Sequence, residues 1–101
     1  MSEVELDPVI HSASRLRVVA TLAALERGDR VSFPRLQKLL DMTAGNLSTH
    51  LRRLEAAGYV TQTKTFSGRT PATYVELSTA GRAAFERYTQ TLSELLKGAQ
   101  E

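Results

Sequence analysis

At Gly58 the spacing of apolar residues changes period, and that switch limits what the chain can become. Before it, Leu47, Leu51 and Leu54 recur at the spacing of one helix face. After it, Tyr59-Val60-Thr61-Gln62-Thr63-Lys64-Thr65-Phe66 is rich in β-branched and aromatic residues at period two, which predicts a strand. Ser67-Gly68-Arg69-Thr70-Pro71 reads as a polar turn of about five residues, and Ala72 to Leu77 as the returning strand. The expectation is a helix that stops at a glycine and runs at once into a protruding hairpin.

The flanking segments read as helices. Asp7-Pro8 has the form of a helix start, a capping carboxylate followed by a residue with no donor to lose. A helical pattern then runs from about Ser14 to Glu26, with Gly28 stopping it. Its apolar residues Leu16, Val18, Val19, Leu22, Ala23 and Leu25 cover about half of the helical wheel, wide enough to bury one side against a core and another against a partner. Val31-Ser32 is a stub of strand. Phe33 to Leu40 reads as a short helix with Pro34 in its first turn and Phe33, Leu36, Leu39 and Leu40 facing inward. Asp41-Met42-Thr43 breaks it, and Thr43 can cap the next helix, Ala44 to Ala57. Ser78 or Thr79 caps a last helix to about Leu96, with Phe85, Tyr88, Leu92, Leu95 and Leu96 in one apolar stripe. At about 1.5 Å per residue that helix is about 28 Å long, more than so small a body can cover, so its outer part calls for a partner.

The chain has 101 residues, room for one compact domain, 1–101, with a modest core. It has no cysteine, which excludes disulfides, thiolate metal sites and cysteine nucleophiles. No apolar run approaches the ~18 residues of a membrane span, and the Met1-Ser2-Glu3-Val4-Glu5 start is acidic, unlike a signal peptide; a cytoplasmic location is expected. The net charge is only +2, but it is unevenly placed. Residues 30–75 carry seven cations against two acids, while 1–29 and 76–101 each carry an acidic excess. A positive middle between acidic ends suits a polyanion.

The order of elements is helix, stub strand, helix, tight turn, helix, strand, wing, strand, helix. This is a mainly α, α+β architecture, the layout of a winged helix-turn-helix with long N- and C-terminal helices for dimerisation. The helix-turn-helix spans about 33–57, the wing about 59–77 and the last helix about 79–96. In this layout the second helix of the pair enters a DNA major groove about 12 Å wide with its non-core side. Opposite Leu47 lie Gly45, Ser48, Thr49 and Arg52: Gly45 permits close approach, Ser48 and Thr49 can bond bases or phosphates, and Arg52 can present a fork to guanine. Thr43 and Asn46 stand at the helix start, and Arg53 on its flank suits a phosphate. Arg69 at the wing tip suits the minor groove or backbone, and Lys64 a phosphate. Taken singly these residues are ordinary on a solvated face; with the hairpin and the charge split they favour double-stranded DNA. His50 reads as a half-buried packing residue, and His11 has no second ligand spaced for a metal. No metal, no cofactor and no catalytic constellation is expected. Two readings stay open beside a sequence-specific regulator: a winged-helix protein-interaction module and a sequence-independent architectural DNA binder.

The run Ser48-Thr49-His50-Leu51-Arg52-Arg53-Leu54-Glu55-Ala56-Ala57-Gly58-Tyr59-Val60 is the most specific stretch. With Leu16 to Leu22 before it and Leu77-Ser78-Thr79-Ala80-Gly81-Arg82 after the wing, it resembles the winged-helix regulators of the MarR and ArsR type, closest to their minimal single-domain members. The resemblance covers about residues 8 to 96. It implies a transcription factor, often a repressor, acting as a homodimer joined through its first and last helices, with recognition helices about one DNA turn apart. Val9, Ile10, Val18, Leu22, Phe85, Tyr88, Leu92 and Leu95 are the residues expected at that dimer interface. The cysteine pairs of metal-sensing ArsR members are absent, and so are the long extra helices that frame a ligand pocket in full-length MarR proteins. Any small-molecule effector stays open.

Overall fold

The computed structural model describes residues 5–99; Met1 to Val4 of the acidic start, with Gln100 and Glu101, lie outside the described residues. The elements follow as α1 (Ala13–Ala23), β1 (Val31–Ser32), α2 (Phe33–Leu40), α3 (Ala44–Ala56), β2 (Val60–Ser67), β3 (Thr70–Leu77) and α4 (Thr79–Gly98). The strands form one antiparallel sheet in the order β1-β3-β2. This is the winged α+β architecture that the sequence predicts.

Local chemistry sets most of the boundaries. Ser32 Oγ accepts from Arg35 N at 3.3 Å and Pro34 occupies the first turn of α2, where its missing donor costs nothing. Asp41 closes α2 in a left-handed conformation, φ 52°, and Thr43 Oγ1 caps α3 by accepting from Asn46 N at 3.1 Å. At the other end of α3, Gly58 takes φ 81°, Tyr59 N donates to Leu54 O and Gly58 N to Glu55 O, both at 2.9 Å. That pair of bonds is a Schellman motif, and it turns the chain directly into β2.

The bounds of α1 and of the hairpin loop need correction. Asp7 opens only a single turn: its side chain accepts from Val9 N at 2.9 Å and its carbonyl from His11 N at 2.7 Å, and the helix proper begins at Ala13. That helix ends at Ala23, short of Glu26, where Arg82 Nη1 donates to Ala23 O at 3.2 Å; Gly28 lies in the following turn. The hairpin loop is two residues, not five, because Ser67 and Thr70 already pair. Gly68 at φ 65° comes first in that connection, the residue and backbone a type II′ turn asks for. The wing therefore protrudes through its eight-residue strands, at roughly 3.4 Å per residue, and not through a long loop.

The main core joins Val18, Val19 and Leu22 of α1 to Leu36 and Leu40 of α2, Leu47, Leu51 and Leu54 of α3, and Val31, Val60, Val75 and Leu77 of the sheet. A second cluster, Ile10, Ala84 and Tyr88, is flanked by Leu6, Leu16, Tyr59 and Leu92. The two sides of α1 are thus both filled within one chain. Leu39, expected to face inward, is 54% exposed, because the α2 stripe through Phe33, Leu36 and Leu40 leaves it on a side that no element covers.

Candidate nucleic-acid interface

The row Leu47, Leu51 and Leu54 is fully buried, which fixes the rotation of α3 about its axis and decides what it presents outward. Gly45, Asn46, Thr49, Arg52 and Arg53 are exposed, as is the capping Thr43, while Ser48 and His50 are half-buried at the edges. A Cβ at Gly45 would meet nothing within 4 Å, so nothing in this chain demands a glycine there. Thr49 is partly committed: its hydroxyl donates to Gly45 O at 3.0 Å, leaving its oxygen lone pairs and methyl group to face outward.

The hairpin stands beside this helix, and its register sets which side chains share a face. Directly opposed residues lie on one side of the sheet, so Val60 with Leu77, Gln62 with Val75, Lys64 with Thr73 and Phe66 with Pro71 form one face. Val60, Val75 and Leu77 are buried, so this is the face turned toward the body and α3. Between α3 and the hairpin lies an open groove of about 700 Å³ lined by Ser48, Arg52, Glu55, Gln62, Lys64 and Thr73. The structure thus brings Arg52 and Lys64, expected separately from the sequence, to opposite walls of one groove. Arg69 occupies the second position of the two-residue turn, at the tip. Arg30 takes the other face of the sheet, with its guanidinium carbon 4.5 Å from the centre of the Tyr74 ring.

One contact at this site carried no signal in the sequence. Glu55, on the last turn of α3, accepts from Gln62 N at 3.3 Å and from Gln62 Nε2 at 3.4 Å. Because β2 is an edge strand, its outward N–H needs a partner, and the carboxylate supplies one. The bond ties the end of the helix to the wing and occupies one of the two acids in the basic middle of the chain.

The joint behind the site is built from Gly58 and Tyr59, at the end of the most specific sequence run, together with Ser78 and Gly81 beyond the wing. Tyr59 O accepts from Ser78 N at 2.9 Å, Ser78 Oγ donates to Gly58 O at 2.6 Å and accepts from Gly81 N at 2.9 Å. The end of α3 is thereby fastened to the start of α4. Tyr59 also donates its hydroxyl to Asp7 Oδ2, and His11 Nδ1 bonds Tyr88 Oη at 2.9 Å, which closes the N-terminal turn over α4. The hydrogen bond to Asp7, then burial, then the Asp7 charge hold the Tyr59 phenol above its ordinary 10.0, against a smaller opposing pull from Arg87.

The residues expected at a dimer interface divide. Ile10, Val18, Leu22 and Tyr88 are covered within the single chain and have almost no surface left to give. Val9, Phe85 and Leu92 are half-buried, and Leu95 and Leu96 are 41% and 58% exposed toward the end of α4. The stripe is present, but its inner part is used within the chain: Phe85 packs on the main core, and Tyr88 and Leu92 belong to the second cluster. Among the described residues no group of three metal-ligating side chains gathers, and no helix is long and apolar enough to cross a membrane.

Two stacked helices, a recognition helix set by three leucines and a protruding basic hairpin define a winged-helix protein. Residues 14–96 match the family described as winged helix DNA-binding domain, and the chain belongs to that family. An uncharacterized protein of Methanocaldococcus jannaschii is 30% identical over 92 residues, covering 91% of this chain and 97% of its own. The transcriptional regulator homologue from Pyrococcus horikoshii OT3 has 31% identity and a TM-score of 0.83, over 92% of this chain and 89% of that one. A MarR-family transcriptional regulator from Silicibacter pomeroyi has 26% identity and a TM-score of 0.66, over 85% and 55%. The S. aureus MepR–DNA complex, 21% identical with a TM-score of 0.74 over 94% and 75%, has the same fold. The architecture is that of winged-helix transcriptional regulators, and the resemblance to the MarR type stands.

Proposed function

We propose that this protein is a cytoplasmic, sequence-specific DNA-binding regulator, a homodimeric repressor of an inverted-repeat operator, and not a catalyst. The observation that carries the reading is the shared groove. An α3 face of Gly45, Asn46, Ser48, Thr49 and Arg52 lies beside a hairpin bearing Lys64 and Arg69, in a stretch of seven cations and two acids. In this reading Ser48, Thr49 and Arg52 read base edges, and Thr43, Asn46 and Arg53 hold the flanking strand. Lys64 and Arg69 hold the backbone and minor groove. The regulator homologue from Pyrococcus horikoshii, 31% identical, supports the role, and the DNA-bound relative MepR supports the partner. The dimer is joined through the outer part of α4, where Leu95 and Leu96 are exposed and follow the half-buried Leu92; Phe85, nearer the start of that helix, and Val9 of the N-terminal turn are half-buried and keep some surface to add.

Selection of binders from a pool of random duplex DNA tests this directly. The expected product is an inverted repeat with half-sites about one helical turn apart. Arg52→Ala should then cost about 1–3 kcal/mol on that sequence and relax preference at one position, while Arg69→Ala weakens all sequences and flattens the salt dependence. Binding without an enriched motif would favour an architectural role. Absence of binding at low salt would favour a protein-interaction module.

A further inference from the structure

Phe66 is the most exposed of the large hydrophobic side chains among the described residues, at 68%. An exposed aromatic ring on an edge strand invites aggregation, and neighbouring charge is the usual protection. Here the ring lies two residues from Lys64, on the same face, and three from Arg69 at the turn. That face runs back through Gln62 to the end of α3. Pro71, directly opposite, gives the ring one apolar neighbour within the hairpin. We infer that Phe66 is an apolar DNA contact that packs on the sugar walls of the minor groove beside Arg69. The inference rests on the DNA-binding reading above and adds a residue that is neither charged nor hydrogen-bonding.

The occupant is duplex DNA because the ring is flanked by cations on a face continuous with the recognition helix, which suits a polyanion and no apolar partner. Deoxyribose edges are apolar surface on the walls of a groove, and minor-groove binders set apolar side chains, phenylalanine among them, beside their cations. An apolar contact releases no counterions, so its loss lowers affinity without changing the salt slope, whereas loss of a phosphate contact changes both.

The test is fluorescence anisotropy across a salt series, on a labelled duplex carrying the selected sequence or, if none is enriched, a mixed-sequence duplex. The proteins are the parent chain, Phe66→Ala, Phe66→Thr and Arg69→Ala. Threonine keeps strand propensity, so it separates loss of the ring from loss of the hairpin. Both Phe66 variants are expected to bind about tenfold more weakly at every salt concentration with the parent's slope, while Arg69→Ala lowers the slope by about one. Phe66 variants that bind like the parent overturn the inference and leave the DNA-binding reading standing. A loss accompanied by a flattened slope also overturns it, because the ring would then act only by holding the hairpin in place. A parent that binds no duplex overturns both.

Discussion

Gly81 is the third residue of α4 and lies against the chain that leaves α3. A methyl group built on it would stand 2.1 Å from Tyr59 O and 2.9 Å from Leu77 Cδ1, where ordinary contact begins at 3.4 Å. The leucine methyl can rotate away, but the carbonyl is backbone and already accepts from Ser78 N at 2.9 Å. Helix α4 would have to retreat by about 1 Å, an overpacking strain of about 1–3 kcal/mol. The two Ser78 bonds to Tyr59 O and Gly58 O would stretch with it, for about 1 kcal/mol each. Against this, alanine in place of glycine favours a helix by about 0.5–1 kcal/mol. The expected net effect of Gly81→Ala is a destabilisation of about 2–4 kcal/mol, or a Tm lower by about 10–20 °C in a chain of this size. Circular dichroism melts at fixed protein concentration read it, since Tm depends on concentration for any chain that self-associates. Gly98→Ala, whose added methyl meets nothing within 4 Å, is the control and should leave Tm within a few degrees of the parent's. A Gly81→Ala protein that melts at or above the parent's temperature would refute the reasoning, for helix propensity would then outweigh the clash.

Three further outcomes follow from the same geometry. Gly45→Ala, in open space on the outer face of α3, should raise stability by about 0.5 kcal/mol and weaken DNA binding about tenfold, a split visible by melting and anisotropy side by side. The Tyr59 phenol is held above 10.0, so the folded state keeps its proton longer than the unfolded state does. That contribution is fully present below about pH 10 and fades as pH rises through the raised value, so urea midpoints should fall on the alkaline side and fall less in Tyr59→Phe. Leu95→Glu, at an exposed position of α4, should keep the monomer's stability within about 0.5 kcal/mol yet shift sedimentation from dimer toward monomer; an unchanged dimer would remove the outer α4 stripe from the interface.

What the sequence discloses well is what depends on neighbours in the chain. Leu47, Leu51 and Leu54 set the core side of α3, Thr43 its start and Gly58 its end, because caps and helical spacing are local. The length of the hairpin turn depends on something elsewhere in the fold. Pro71 resembles a turn residue, yet β1 reaches only the Tyr74 pair, so the outer half of β3 has an open side and a residue without an N–H fits there. Leu39 shows the limit of periodicity in an eight-residue helix, where which flank is covered depends on elements absent from the local pattern. Tyr88 and Ile10 show the same limit between chains: a stripe announces that something will cover it, and here the N-terminal turn does. The link between Glu55 and Gln62 joins a helix to a strand edge, and neither residue type announces such a bond.

The Ser78 joint has a mechanical consequence. With α3 fastened to α4 at two carbonyls, the reading head and the long helix behave as a lever, not as separately adjustable parts. The lever is twenty residues long, about 30 Å at 1.5 Å per residue. A tilt of about 10° at its outer end would carry the reading head some 5 Å, more than the ~3.4 Å rise between successive bases of one strand. In a dimer joined at those outer ends, a small change in how the two levers cross is enough to put both heads out of step with their half-sites. If the chain reads DNA as such a dimer, a change at the far end of α4 releases it while leaving every residue of the groove in place.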